Sequence, residues 1–205
     1  ETTPLCHLII DKDPFFDQIG TLWLLHYSLA SNPRLLVWNY MCNGILPATA
    51  EIRKGDAVDQ FKVFSGRWSD SSLKKKTRKE LSSFFSSYTE EMFFKLSYLR
   101  KKNSKVFGTT KNVALVPSEI LLATTLIHRD RFQPGTSGIE IPPMIYAENS
   151  PGRLMRQGEV YVRQILNELH EEKLLTIESK ANLDQVRFKQ DISWLDAIRE
   201  YYLQL

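Results

Sequence analysis

The chain has 205 residues, 42% hydrophobic and 25% charged, an ordinary composition for a folded protein and enough to bury a substantial core. Nine Gly and nine Pro exclude a fibrous or low-complexity chain. Two cysteines, Cys6 and Cys42, exclude a disulfide framework, sit in no metal-ligand spacing and suit a reducing cytoplasm. The net charge of +3 hides an asymmetry: residues 62–105 hold twelve Lys and Arg against four Asp and Glu, a local +8 that leaves −5 elsewhere. A basic middle in an acidic chain points to a polyanion docking at one place.

The start, ETTPLCHLIID, has no basic region before its apolar residues and is not a signal peptide. Residues 21–33, TLWLLHYSLASNP, are apolar almost all round a helical wheel, with His26 and Ser28 as polar interruptions. A helix without a polar face is buried on all sides or spans a membrane. Ser31, Asn32, Pro33 and Arg34 end this one well short of the roughly 20 apolar residues a span needs, so no membrane is expected. Asn32 as cap and Pro33 in the first turn predict a second helix carrying Leu35, Leu36, Val37, Trp38, Tyr40 and Met41. The expectation is an aromatic-rich helical pair at the centre of a core. His26 then reads as a core histidine held by one hydrogen bond, and Trp23, Tyr27, Trp38 and Tyr40 as packing rather than a platform for bases.

Asn43-Gly44 and Pro47 mark a turn, and 51–64 reads as a short helix or loop. In SDSSLKKKTRKELSSFFSSY, residues 69–88, Leu73, Thr77, Leu81, Phe84, Phe85 and Tyr88 recur every three or four positions, predicting an amphipathic helix capped by Ser69, Asp70 or Ser71. The Lys- and Asn-rich stretch 100–112 reads as a loop. Pro117-Ser118-Glu119 opens a helix burying Ile120, Leu121, Leu122, Leu126 and Ile127. Residues 133–138 and Pro142-Pro143 read as loops. A helix over 158–172, strands over 174–178 and 185–189 joined by SKANLD, and a final helix from Ser193 follow. Helix, strand, loop, strand is the order of a winged helix. The fold class is therefore mainly α with α+β character: a helical core with winged-helix-like elements and a small β-hairpin wing. The division expected is a helical domain over 1–115 and a winged-helix-like domain over 116–205.

The basic helix is the strongest functional signal. Lys74, Lys75, Lys76, Arg78 and Lys79 crowd its first turns. Cations there oppose the helix macrodipole at roughly 0.3–1 kcal/mol each. Lys75–Lys79 and Lys74–Arg78 add like-charge pairs four apart. Helix stability alone does not favour this arrangement, whereas phosphates would be met by the side chains and the helix N–H groups together. A solvated charged face is the bland alternative; the dipole conflict and the local charge favour DNA. Lys101 and Lys102 extend the basic segment. On the wing, Lys180, Arg187 and Lys189 read equally as DNA contacts and as guards of a sheet edge. Arg153 and Arg156 suit a phosphate, or a pairing with Glu148 or Glu159.

Catalytic residues are not assignable. Asp11, Asp13 and Asp17, Glu51 with Lys54, and His128-Arg129-Asp130 are the combinations a metal-dependent nuclease would need, yet each has a structural explanation as a helix cap, a surface pair or a helix end. Glu51 and Lys54 are also one residue further apart than in the Glu-X-Lys of restriction-type nucleases. Nothing resembles a phosphate-binding glycine loop, a zinc cluster or a Ser-His-Asp arrangement.

Asp13-Pro14, Gly20-Thr21-Leu22-Trp23-Leu24-Leu25-His26, Leu29-Ala30-Ser31-Asn32-Pro33 and Trp38-Asn39-Tyr40 resemble the SspB-type domain family of bacterial DNA-phosphorothioation and phage-defence operons, formerly a domain of unknown function. Fainter echoes lie at Ser71-Ser72-Leu73-Lys74, Ser150-Pro151-Gly152-Arg153 and Leu183-Asp184-Gln185-Val186. Members usually carry residues ahead of Thr3-Pro4-Leu5, so a trimmed chain is expected. The resemblance implies a cytoplasmic DNA-binding component of such a system, with strand nicking, and then a divalent metal such as Mg²⁺, as its enzymatic form. It implies double-stranded DNA and other proteins of the operon as partners and is compatible with a homodimer. The alternatives are a non-enzymatic DNA-binding scaffold or regulator that recruits partner enzymes, and a protein-interaction module whose basic patch docks an acidic partner.

Overall fold

The structure, a computed structural model, describes residues 4–65, 70–110, 112–180, 183–189 and 191–205; the side chains of 62, 64, 65 and 70–74 lie outside the described set. The fold is mainly helical with two small antiparallel sheets, each of three strands. The chain divides into two compact units, one formed by Ser28–Ala114 and the other by Glu1–Tyr27 with Leu115–Leu205. The second boundary falls beside the 115/116 division expected from sequence, but the first 27 residues group with the C-terminal part. No described helix is long and apolar enough to cross a membrane.

Helix α1 (Pro4–Lys12) precedes α2 (Ile19–Ala30), which contains the all-round apolar run. The buried Asp13 side chain accepts the backbone N–H groups of Asp17 (2.8 Å) and Gln18 (3.1 Å), satisfying donors ahead of α2. Helix α3 (Leu36–Tyr40) starts later than expected. Asn32 does not cap it: its carbonyl accepts Leu35 N–H and its side-chain oxygen accepts Arg34 N–H at 3.0 Å, closing a turn that holds Pro33. Helix α3 continues through a π-helical turn, Met41–Ile45, into α4 (Leu46–Ala48).

The rest of this unit is a strand, two helices and a hairpin: β1 (Glu51–Arg53), α5 (Lys54–Ser65), α6 (Asp70–Thr89), a 3₁₀ turn at Met92–Leu96, β2 (Leu99–Lys101) and β3 (Val106–Thr109). The sheet order is β1-β3-β2, with Phe107 opposite both Ile52 and Lys101. The stretch 100–112, expected as a loop, thus supplies two strands, and 51–64 supplies a strand as well as a helix. These strands are three or four residues long, so they are defined by pairing and leave little periodicity. The core is aromatic. Trp38 meets Phe84 edge-on (centroids 5.0 Å) and Phe93 (5.9 Å), and Phe85 stacks on Phe107 at 4.1 Å.

In the other unit α7 (Ser118–Phe132), β4 (Gly138–Glu140), α8 (Ile141–Tyr146), α9 (Pro151–Met155), α10 (Glu159–Glu171), β5 (Leu175–Lys180), β6 (Leu183–Phe188) and α11 (Trp194–Leu203) follow in order. The sheet runs β4-β6-β5, with Val186 opposite both Ile139 and Ile177. A helix, a strand, further helices and a hairpin whose second strand pairs with the first strand make the winged-helix arrangement. Pro142-Pro143, expected in a loop, lies in the first turn of α8, where the missing N–H groups have no intrahelical partner to lose. Gly152 lets α9 meet the α8 backbone: a Cβ there would stand 2.7 Å from Ile145 Cα. Tyr201 on α11 accepts Gly20 N–H at 3.0 Å, and the Thr21 and Tyr202 hydroxyls are hydrogen-bonded at 2.5 Å. These bonds tie α2 to the end of the chain and account for the grouping of the N-terminal segment with this unit.

Candidate nucleic-acid interface

Helix α6 separates its residues as the spacing predicts. Thr77, Leu81, Phe84, Phe85 and Tyr88 are buried, while Lys75, Lys76, Arg78 and Lys79 are exposed. Lys74 lies in the same helix; its side chain, with Leu73 and the expected caps at 69–71, falls outside the described side chains. Lys76 approaches Glu80 one turn on (3.9 Å). Among the described residues, Lys75, Arg78 and Lys79 have no acidic partner. An aromatic core fixes the helix from behind and leaves a row of cations toward solvent.

Two other candidates on this unit are already engaged. Lys101, ending β2, pairs with Glu90, and Lys102 pairs with Glu51 across the β1-β3-β2 sheet. Exposed pairs of this kind are worth about 0–1 kcal/mol and open readily to a competing anion. Ser28–Ala114 carries 16 Lys and Arg against 7 Asp and Glu, a net +9; the rest of the chain carries 11 against 17, a net −6.

The wing candidates belong to that acidic unit. Lys180 ends β5 and Lys189 follows β6, both exposed, and the charge of Lys180 helps to hold the Glu178 carboxyl down. Arg187 pairs with Glu178 at 2.9 Å. Helix α10 occupies the place of the third helix of a winged helix, which commonly reads DNA, but its chemistry is wrong for phosphate. Its one arginine, Arg163, is held by Asp184 (2.7 Å) and Glu159 (2.8 Å), and those bonds push the guanidinium pKa further up. The hydrogen bonds from Tyr146 and Arg163 pull the Glu159 carboxyl down. The helix also presents Glu168 and Glu171 to solvent.

The combinations weighed for catalysis are structurally occupied. Asp13 caps, Glu51 pairs with Lys102 rather than Lys54, and Arg129 pairs with Asp130 at 2.7 Å. His128 Nδ1 bonds the Asn149 carbonyl at 3.1 Å, and burial lowers its pKa. Arg153 donates to the Tyr146 carbonyl at 3.0 Å. His26 is the core histidine expected: its Nε2 bonds the Leu154 carbonyl at 2.8 Å, and burial pulls its pKa down to about 4. Among the described residues no group of three or more His, Cys, Asp or Glu is arranged to hold a metal ion.

One feature missed in the sequence is a cleft of about 410 Å³ beside the cation row. It is lined by Arg34, Leu35, Leu36 and Trp38, by Lys76, Thr77 and Glu80 of α6, and by Phe61 of α5. These residues come from three segments, so spacing carried no signal of their meeting.

Fold and site define a mainly helical protein with a basic helical unit and an acidic winged-helix unit. The chain belongs to the family described as protein of unknown function (DUF4007), whose model matches residues 1–202. No curated protein matches it in sequence. Two solved structures share the fold. A magnesium ion-bound SspB crystal structure is 16% identical with a TM-score of 0.76, covering 93% of this chain and 62% of that one. An SspB crystal structure is 18% identical with a TM-score of 0.75 and the same coverage, 93% and 62%. The chain thus spans 62% of the length of these SspB structures, and at such identities the likeness is one of fold.

Proposed function

We propose that this protein is the DNA-binding component of a bacterial DNA-phosphorothioation or phage-defence system and grips duplex phosphates with the first turns of α6. The observation that carries this reading is the exposed row Lys75, Arg78 and Lys79, without acidic partners among the described residues, on a unit of net +9. The fold shared with SspB and the sequence resemblance support the biological setting. Lys76 belongs to the same row and Lys74 to the same helix; Lys101 and Lys102 join by exchanging carboxylate for phosphate. Lys180, Arg187 and Lys189 on the wing are secondary contacts.

Anisotropy of a labelled duplex tests it. Three phosphate contacts give a salt slope near −2.7, a loss of about 40-fold in affinity between about 50 and about 200 mM salt. Replacing Lys75, Arg78 and Lys79 with Ala flattens the slope by about 3; an unchanged slope sinks the reading.

Strand nicking is the enzymatic form of the proposal, motivated by the family and by the magnesium in one SspB structure. Supercoiled plasmid incubated with Mg²⁺ or Mn²⁺, with and without chelator, tests it by the metal-dependent appearance of open circles. The second reading is a non-enzymatic scaffold. It is favoured by the acidic unit, where Glu119, Glu172, Asp196 and Glu200 surround a partly apolar cleft of about 480 Å³ that suits a basic protein partner better than DNA. Tight DNA binding without metal-dependent nicking selects it.

A further inference from the structure

The cleft between α3 and α6 has a composition that simple phosphate gripping does not require. Its volume, about 410 Å³, lies within the usual range for small-ligand sites. Its walls combine apolar surface from Leu35, Leu36 and Phe61 with the indole of Trp38. Trp38 is held edge-on by Phe84 and Phe93, so its orientation is set by the core rather than by the visitor. Two cations from different segments, Arg34 ahead of α3 and Lys76 of α6, line it together with a single carboxylate, Glu80.

We infer that this cleft receives one unpaired nucleotide of the bound strand, its base against Trp38 and Leu36 and its phosphate between Arg34 and Lys76. The inference rests on the DNA-binding reading and names a substrate feature for it. Each part follows from the chemistry. A base is a flat π-surface whose burial against aromatic and aliphatic side chains is favourable and tolerates any sequence. The adjacent phosphate brings a negative charge that two cations lining a cleft complement. Glu80 offers only acceptor oxygens, which suit the N–H edges of a base, and its approach to Lys76, 3.9 Å between exposed groups, opens to a competing phosphate. Trp38 is half-buried while Arg34 and Lys76 are exposed, which sets the orientation: base inward and phosphate at the rim. The cation row of α6 continues away from Lys76 through Lys75, Arg78 and Lys79, so a strand lying along the helix can present a nucleotide to the cleft without leaving its phosphate contacts.

An extruded or unpaired base lowers the energy of entry, since unstacking a paired one costs a few kcal/mol. Measuring anisotropy of two labelled duplexes, one fully paired and one with a single unpaired nucleotide, tests the inference. The wild type is expected to bind the second about tenfold tighter, the equivalent of about 1.4 kcal/mol. Arg34→Ala and Leu36→Trp, both at exposed positions and so compatible with folding, should abolish that gain and leave fully paired binding within about twofold. Glu80→Gln should keep the gain but change its ranking among the four bases.

Equal binding of the two duplexes by the wild type overturns the inference while the phosphate grip stands. A gain that survives both Arg34→Ala and Leu36→Trp overturns it as well. Binding to neither duplex overturns the inference and the DNA-binding reading together. A nucleoside monophosphate added as competitor separates the sources of the ligand. Failure to erase the gain at millimolar level supports a strand-borne nucleotide; erasing it at micromolar level assigns the cleft to free nucleotides and overturns the strand.

Discussion

The two units solve the same folding problem with different materials. Ser28–Ala114 packs rings: Phe84, Phe85, Tyr88, Phe93, Tyr98 and Phe107 carry its core with the half-buried Trp38 against them, and its surface is strongly basic. The winged-helix unit buries polar groups alongside its apolar ones. His26 is bonded to Leu154, His128 and Tyr27 to the Asn149 carbonyl, and the Tyr201 and Tyr202 hydroxyls to Gly20 and Thr21, under an acidic surface. Below the alkaline range in which tyrosines ionise, a ring core is indifferent to pH, burial pushing the Tyr88 hydroxyl further up, and it leaves the surface free to carry like charges. A core of histidines and hydroxyls depends on protonation and on each partner being present. The difference also separates tasks, because the unit with a winged-helix order has the wrong charge for a polyanion and the unit without it has the right one.

Phe85→Ala should break the contrast most severely. Loss of a ring stacked between α6 and β3 should cost about 3–5 kcal/mol in chemical denaturation, with the loss independent of pH. A pH-dependent loss would mean that ring packing is not what holds that unit.

His26 gives the next largest effect, in the other unit. Its pKa is about 4 in the folded chain against 6.5 ordinarily, so between those values the unfolded chain binds the extra proton. Its contribution is complete above pH 6.5 and is lost as pH falls, reaching about 3 kcal/mol by pH 4. The lowered pKa of His128 acts in the same direction. Denaturation followed at successive pH values should show this slope, and His26→Asn should remove most of it. A smaller effect is expected from Tyr201→Phe. It leaves the buried Gly20 N–H without its acceptor and should cost about 1–3 kcal/mol. The smallest is on the wing: Lys180→Ala with Lys189→Ala should weaken duplex binding by less than about tenfold, as expected for one or two phosphate contacts. A larger loss would move the principal DNA contact to the winged-helix unit.

Much of this architecture is legible in the sequence. The buried face of α6, the extents of α7 and α10, the β5–β6 wing and the caging of His26 all follow from periodicity or from the cost of burying a polar group. The losses have a common cause. Strands β1 to β4 are three or four residues long and gain their partners from segments up to 57 residues away, Glu51 pairing with Gly108, so local pattern cannot show them. Pro142-Pro143 was open to either reading, because proline suits a loop and a first helical turn alike. Of the candidate site, the cation row needed only helical spacing, whereas the Arg34–Trp38–Phe61–Glu80 cleft depends on how three segments come together.

The central claim is that the exposed cations of α6 are the principal grip on DNA. The most direct measurement compares the salt dependence of duplex affinity for the wild type and for the variant carrying Ala at 75, 78 and 79, with circular dichroism confirming that both fold. A grip by these cations requires a steep wild-type slope and a variant flatter by about 3, with affinity at low salt reduced at least tenfold. Parallel slopes and equal affinities would contradict it.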